Sequence, residues 1–209
     1  MDTMDKIFEA YVVKYQHILS CFYPAKGSTG FVERNLTVNW SKAAEVVCGS
    51  ENVISWFEFQ FGKNNKKHID ALVWDRSAGN LFLLESKRFS NLPSKICEIG
   101  DDIVRLQDLF EEIKEEKGAR IELDKVHHCY GVILADVWPK KGIQCPKRTI
   151  LESYENCTFL ADNICNFSES AQQRLKNYPF ADLKYYHTVF DNVSSKEQYA
   201  LVSLSWRIA

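Results

Sequence analysis

KHIDALVWDRSAGNLFLLESKRF, residues 67–89, is the segment from which the rest of the architecture can be built. Two runs rich in β-branched and aromatic residues, 67–75 and 80–89, flank the loop Arg76-Ser77-Ala78-Gly79. A four-residue connection with glycine at its end predicts a β-hairpin. If Asp75 faces Asn80, counting outward sets Asp70 opposite Glu85 and His68 opposite Lys87. Side chains alternate along a strand, so Glu85 and Lys87 share one face and Ser86 takes the other. Cross-strand partners share a face with Cβ atoms about 4.5–5.5 Å apart. Asp70, Glu85 and Lys87 are therefore expected to converge on one patch.

Both strands are otherwise apolar, which predicts a sheet covered on its two faces. Adjacent carboxylates near such a sheet repel each other and lose hydration. A hard divalent cation would relieve both costs, and the neighbouring ammonium could orient or activate a water.

Asp70 on one strand and the Glu85-Ser86-Lys87 triplet on the next resemble the PD-(D/E)XK nuclease superfamily. The resemblance implies an α/β fold with a restriction-endonuclease-like core: helix, three-strand meander, helix, strand, in a mixed sheet flanked by helices. It implies a nuclease hydrolysing phosphodiester bonds, with DNA the expected substrate and endonuclease action favoured over exonuclease. Asp70 and Glu85 would bind Mg²⁺ or Mn²⁺ with the Ser86 backbone carbonyl as a further ligand, and Lys87 would position the attacking water. Breaking both strands of a duplex would favour a homodimer.

Glu33 lies in the first turn of a predicted helix over 32–47, whose apolar stripe is Leu36, Trp40, Ala43, Ala44 and Val47. A carboxylate there is favoured by the helix dipole alone. The superfamily resemblance adds a second role, a third acid in the site. The strings Lys26-Gly27-Ser28 and Glu33-Arg34-Asn35-Leu36 resemble the opening of archaeal-type Holliday-junction resolvases, in which a glycine-rich loop precedes a catalytic Glu. Because Glu33 shares the side of Leu36 and Trp40, it is expected to reach the Asp70–Glu85 patch. Glu45 is a weaker candidate on the same helix.

Elsewhere, apolar periodicity predicts helices over 4–22, 94–117 and 168–177 and strands over 53–61, 126–138, 183–190 and 198–208. The N-terminal helix would cover the sheet or form a subunit contact. Glu58 and Gln60 make a polar face on the first strand, suited to an approach to the site or to an exposed edge. Arg105 is positioned to meet a phosphate or, in preference, to pair with Asp101 or Asp102. His127, His128 and Cys129 read as strand residues, and 139–148 as a basic loop. The strand–helix–strand connection through 94–117 predicts a parallel crossover. The last third, 139–209, is an α/β extension carrying no readable motif. One domain over 1–209 is expected: an N-terminal helix (1–25), the core (26–138) and the extension.

Composition sets the remaining bounds. A formal net charge of −2 over 209 residues excludes a general nucleic-acid coat, leaving local patches such as Lys63-Asn64-Asn65-Lys66-Lys67 and Lys140-Lys141. The acidic N-terminus, with Asp2 and Asp5, does not resemble a signal peptide, and no stretch suits a membrane span. Seven scattered cysteines predict reduced thiols in a cytoplasmic protein. The spacing of Cys21, Cys145, Cys157 and Cys165 does not suit an iron–sulfur cluster. The competing function is a catalytically weak or inactive module of the same fold that binds nucleic acid or a protein partner. A third reading makes the acidic cluster an ion network only.

Overall fold

Six strands form one mixed sheet in the computed structural model, which describes residues 2–21, 33–61, 67–115, 122–191 and 196–209. They are β1 (Val53–Phe61), β2 (Lys67–Asp75), β3 (Asn80–Arg88), β4 (His128–Val137), β5 (Ala181–Phe190) and β6 (Tyr199–Arg207), in the order β1-β2-β3-β4-β6-β5. The helices are α1 (Thr3–Cys21), α2 (Glu33–Cys48), α3 (Leu92–Glu115), α4 (Pro146–Glu155), α5 (Phe159–Asn163) and α6 (Glu169–Leu175). Lys26-Gly27-Ser28 and Lys63 to Lys66 lie outside the described residues.

The central hairpin has the expected register, pairing Asp75 with Asn80 and continuing to Ala71 opposite Leu84. Its turn is held by the Asp75 carboxylate, which accepts from the Ser77 amide at 3.0 Å and the Ser77 hydroxyl at 2.7 Å. Gly79 adopts φ +69°, and a Cβ there would meet the Lys125 carbonyl at 2.7 Å, so both conformation and space call for glycine. β3 then crosses through α3 to the parallel strand β4, as the length of the connection predicts.

Alternation along these strands divides the core in two. Leu81, Leu83, Ile133, Ala135 and Val202 pack beneath α3, α4, α5 and α6. Phe82, Leu84, Val132, Leu134 and Leu201 pack beneath α1 and α2. α1 covers the sheet with Ile7, Phe8, Tyr11 and Tyr15, and its N-terminus is tied to β5 by Asp5, bonded to Lys184 and Tyr186 at 2.9 Å each. Among the described residues no helix is long and apolar enough to cross a membrane.

Two departures from expectation matter for the site. Phe57 pairs with Ala71 and Phe59 with Ile69, but Glu58 and Asp70 are unpaired, and Glu58 has φ +52°. Residues two apart in a regular strand share a face. Here Ala71 belongs to the α2-side core and Ile69 to the α3-side core. The sheet therefore changes face at Asp70. Glu58 itself pairs with Arg34 at 2.7 Å on the exposed edge. The second departure is α4, which begins inside the segment expected to be a basic loop. Pro146 occupies its first turn, a favoured helix-start position, and Ile150, Leu151 and Tyr154 bury its inner face.

Candidate active site

β3 presents its charged end to both helical layers. Toward α3, Glu85 is 3 % exposed and its Oε1 stands 3.0 Å from the Arg105 guanidinium. The contact is coulombic, because that oxygen accepts no hydrogen bond among the described residues. Arg105 also pairs with Asp102 one helical turn away, the partner favoured from helical spacing. Lys87 lies 2.8 Å from Asp102 and 3.8 Å from Glu98, and Lys95 joins Glu98 at 2.8 Å to Glu33 at 3.7 Å. A continuous chain of charges thus links β3, α3 and α2.

Toward α2 the arrangement is one of hydrogen bonds. The Ser86 amide and hydroxyl both donate to Asp70 Oδ2, at 2.7 and 2.5 Å, and the hydroxyl also lies 3.1 Å from the Glu33 carbonyl oxygen. Glu33 Oε1 accepts from the Arg88 amide at 2.8 Å. Beside Arg88 in the parallel ladder sits Asp136, only 2 % exposed.

The expected convergence is corrected accordingly. Glu85 and Lys87 do share a face opposite Ser86, but the Asp70 carboxylate bonds Ser86 instead of lying free beside Glu85, because the strand changes face at that residue. The Glu33 carboxylate is engaged by the Arg88 amide and Lys95, and only its backbone carbonyl meets this cluster directly.

Electrostatics nevertheless couples the two sides. Burial, then the charges of Asp102 and Asp70, push the Glu85 carboxyl up to about 9 despite Arg105 and Lys87. Burial raises Asp102 as well, against the pull of Lys87 and Arg105. Burial opposes the charge on Lys87, but Asp102, Glu85 and Asp70 outweigh it and hold the ammonium above the usual lysine range. Asp136 is pushed up to about 7, chiefly by burial, with Arg88 pulling it down and Glu33 adding to the rise.

With every carboxyl ionised, Glu33, Asp70, Glu85, Glu98 and Asp102 set against Lys87, Lys95 and Arg105 leave a surplus of two negative charges, which the proton Glu85 holds below about pH 9 reduces to one. Among the described residues no group of three or more His, Cys, Asp or Glu side chains is arranged to hold a metal ion. A full protein cage is thus not preformed. Mg²⁺ asks for less, one or two carboxylates with waters retained. Glu85, with an unbonded buried oxygen and a charge its surroundings oppose, fits that smaller requirement, whereas Asp70 Oδ2 already accepts from Ser86 on the α2 side.

Asp102 and Asp136 carry more of the site than their places in the sequence suggest. Asp102 had a legible signal: a carboxylate one helical turn before Arg105 on an otherwise apolar stripe. Asp136 is the lone acid closing the apolar run GVILADV. The free cysteines are dispersed over α1, α2, α3, β4 and the loops around α4 and α5. No protein-family model, no curated protein and no solved structure matches the chain.

Proposed function

We propose that the chain is a metal-dependent nuclease that hydrolyses phosphodiester bonds, with DNA as substrate and endonucleolytic action, at the charged end of β3. The succession α2, β1, β2, β3, α3, β4, with β3 parallel to β4, is the order a restriction-endonuclease-like core requires and supports this reading. The observation that carries it is Glu85: a buried carboxylate with an unbonded oxygen, in a surplus of negative charge, two residues from a lysine held protonated.

Asp70 and Glu85, with the Ser86 backbone carbonyl, would hold Mg²⁺ or Mn²⁺, and Glu33 would contribute directly or through a water. Such a cation, when bound, supplies charge to the phosphoryl oxygens and acidifies water. Lys87 stays charged near neutrality, so it positions the attacking water and the phosphate by donating hydrogen bonds and does not abstract a proton. Asp102 aims that ammonium from the adjacent helix. Cutting both strands of a duplex requires a second site, which a homodimer would provide.

The Arg105–Glu85 contact favours a second reading, in which the guanidinium occupies the cation's place and the chain is a catalytically weak or inactive module that binds nucleic acid or a protein partner. Incubating the purified protein with linear, circular, branched and single-stranded DNA and with RNA, with and without Mg²⁺ or Mn²⁺, separates the two. Metal-dependent cleavage abolished in Glu85→Gln is the expected result. Absence of cleavage on every substrate with either metal overturns the proposal.

A further inference from the structure

A cavity of about 1130 Å³ opens between the N-terminal turns of α3 and α4, lined by Asn91, Trp138, Lys140, Gln144, Lys147 and Glu197 among others. Ser90 and Asn91, on its wall, follow Lys87 by three and four residues, and Trp138 follows Asp136 by two. The cavity therefore lies off the C-terminal ends of the parallel strands β3 and β4, the edge that carries the candidate site. Lys147 ties the two together, since its charge acts on the buried Asp136 beside Arg88.

The lining has the chemistry of a nucleotide pocket. Trp138 borders the cavity with a half-buried indole that packs on Tyr199 at a centroid distance of 4.7 Å. Ile96 and Ile150 add apolar wall, the Asn91 amide carries a donor and an acceptor, and Gln144, whose Nε2 donates to Thr149 and Glu152, presents its amide oxygen. Lys140 and Lys147 enter no ion pair among the described residues. The opposing carboxylate is Glu197, whose backbone bridges to Lys140. A paired base shows a protein only its edges, whereas a concave apolar pocket with a stacking ring takes a base that has left the duplex. At about 1130 Å³ the space exceeds that of most small-molecule sites, roughly 300–1,000 Å³, and suits a short length of strand.

We infer that this cavity receives an unpaired segment of the nucleic-acid substrate, a base stacking on Trp138 and its phosphate lying between Lys140 and Lys147. The choice of nucleic acid rests on the nuclease reading above, and the binding test below does not need catalysis. The 209-residue chain in EDTA is titrated into a labelled forked duplex, a blunt duplex of the same sequence and the free single strand, with fluorescence anisotropy as readout. The fork and the single strand are expected to bind about tenfold tighter than the blunt duplex. Trp138→Leu should remove most of that preference. The double variant Lys140→Ala with Lys147→Ala should weaken fork binding about tenfold and reduce the salt slope by about two. Because Trp138 also packs on Tyr199, the lysine pair, with an unchanged melting temperature, keeps the test decisive if the tryptophan variant fails to fold.

Equal affinity of the parent protein for fork and blunt duplex overturns the inference, as do lysine variants that bind the fork like the parent. Fork binding lost in those variants, from a protein that cleaves nothing with Mg²⁺ or Mn²⁺, sustains the pocket and removes the nuclease reading. Metal-dependent cleavage with fork binding and cutting unchanged in the variants removes the pocket alone.

Discussion

Glu85 and Ser86 are neighbours in β3, yet they sit in opposite kinds of environment. Toward α3, Glu85 and Lys87 are compensated by other side chains, Arg105 and Asp102, through ion pairs that leave a buried oxygen unbonded. Toward α2, the carboxylates of Asp70 and Glu33 accept backbone amides, those of Ser86 and Arg88. Side-chain ion pairs can exchange for a metal or a phosphate at little cost to the backbone, whereas amide–carboxylate bonds hold the strand end itself. The α3 face thus carries groups free to exchange partners, whereas on the α2 face Asp70 and Glu33 are already tied to the strand.

The widest separation between the two faces is expected in activity. Glu85→Gln should lower metal-dependent cleavage by roughly a thousandfold, the scale of losing several kcal/mol of charge stabilisation. Ser86→Ala should cost less than about tenfold while lowering stability by about 1 kcal/mol through its lost hydroxyl bonds. Equal losses of activity in the two variants, measured on one substrate, would erase the distinction.

Stability should separate them next. Lys87→Ala leaves Asp102 buried with its principal partner gone and should cost about 3 kcal/mol in urea unfolding at neutral pH. A loss below roughly 1 kcal/mol would mean that the ion pairs toward α3 behave like surface pairs.

The faces should also titrate in different windows. The Glu85 carboxyl is pushed up to about 9 from an ordinary 4.5, so its contribution to stability is full below about 4.5 and is lost as pH rises through about 9. For Asp136 the same sign applies, with loss from about 3.8 through about 7. Metal-free melting curves should therefore flatten between about pH 4.5 and 9 in Glu85→Gln and between about pH 3.8 and 7 in Asp136→Asn. Saturating Mg²⁺ should pull the Glu85 midpoint down, with proton release on binding, and a midpoint in carboxyl-resolved NMR that ignores Mg²⁺ would place the cation elsewhere.

The smallest effect belongs to Glu33→Ala. Loss of its bond to the Arg88 amide should cost about 1 kcal/mol. If the carboxylate also orients a metal-bound water, the Mg²⁺ requirement for cleavage should rise about tenfold. An unchanged requirement with lowered stability would reduce Glu33 to a tie between α2 and β3.

The hairpin shows what the amino-acid sequence determined unaided. Turn length and strict alternation are local, so Asp75 opposite Asn80, Glu85 and Lys87 on one face and Ser86 on the other all follow from counting. The apolar stripe of α3 and the parallel crossover to β4 are legible for the same reason, since helical period and connection length are properties of short segments. The partners of the charged groups are not local. Asp70 departs from its counted place because Glu58, a residue with no glycine-like signature, takes φ +52° and turns the strands over. Arg105 reaches Glu85, Glu33 reaches the Arg88 amide, and Trp138 meets the α4 cavity only because elements distant in sequence pack against the same strand ends. Which oxygen meets which cation depends on ångström-scale packing across the core, and only the tertiary structure decides it.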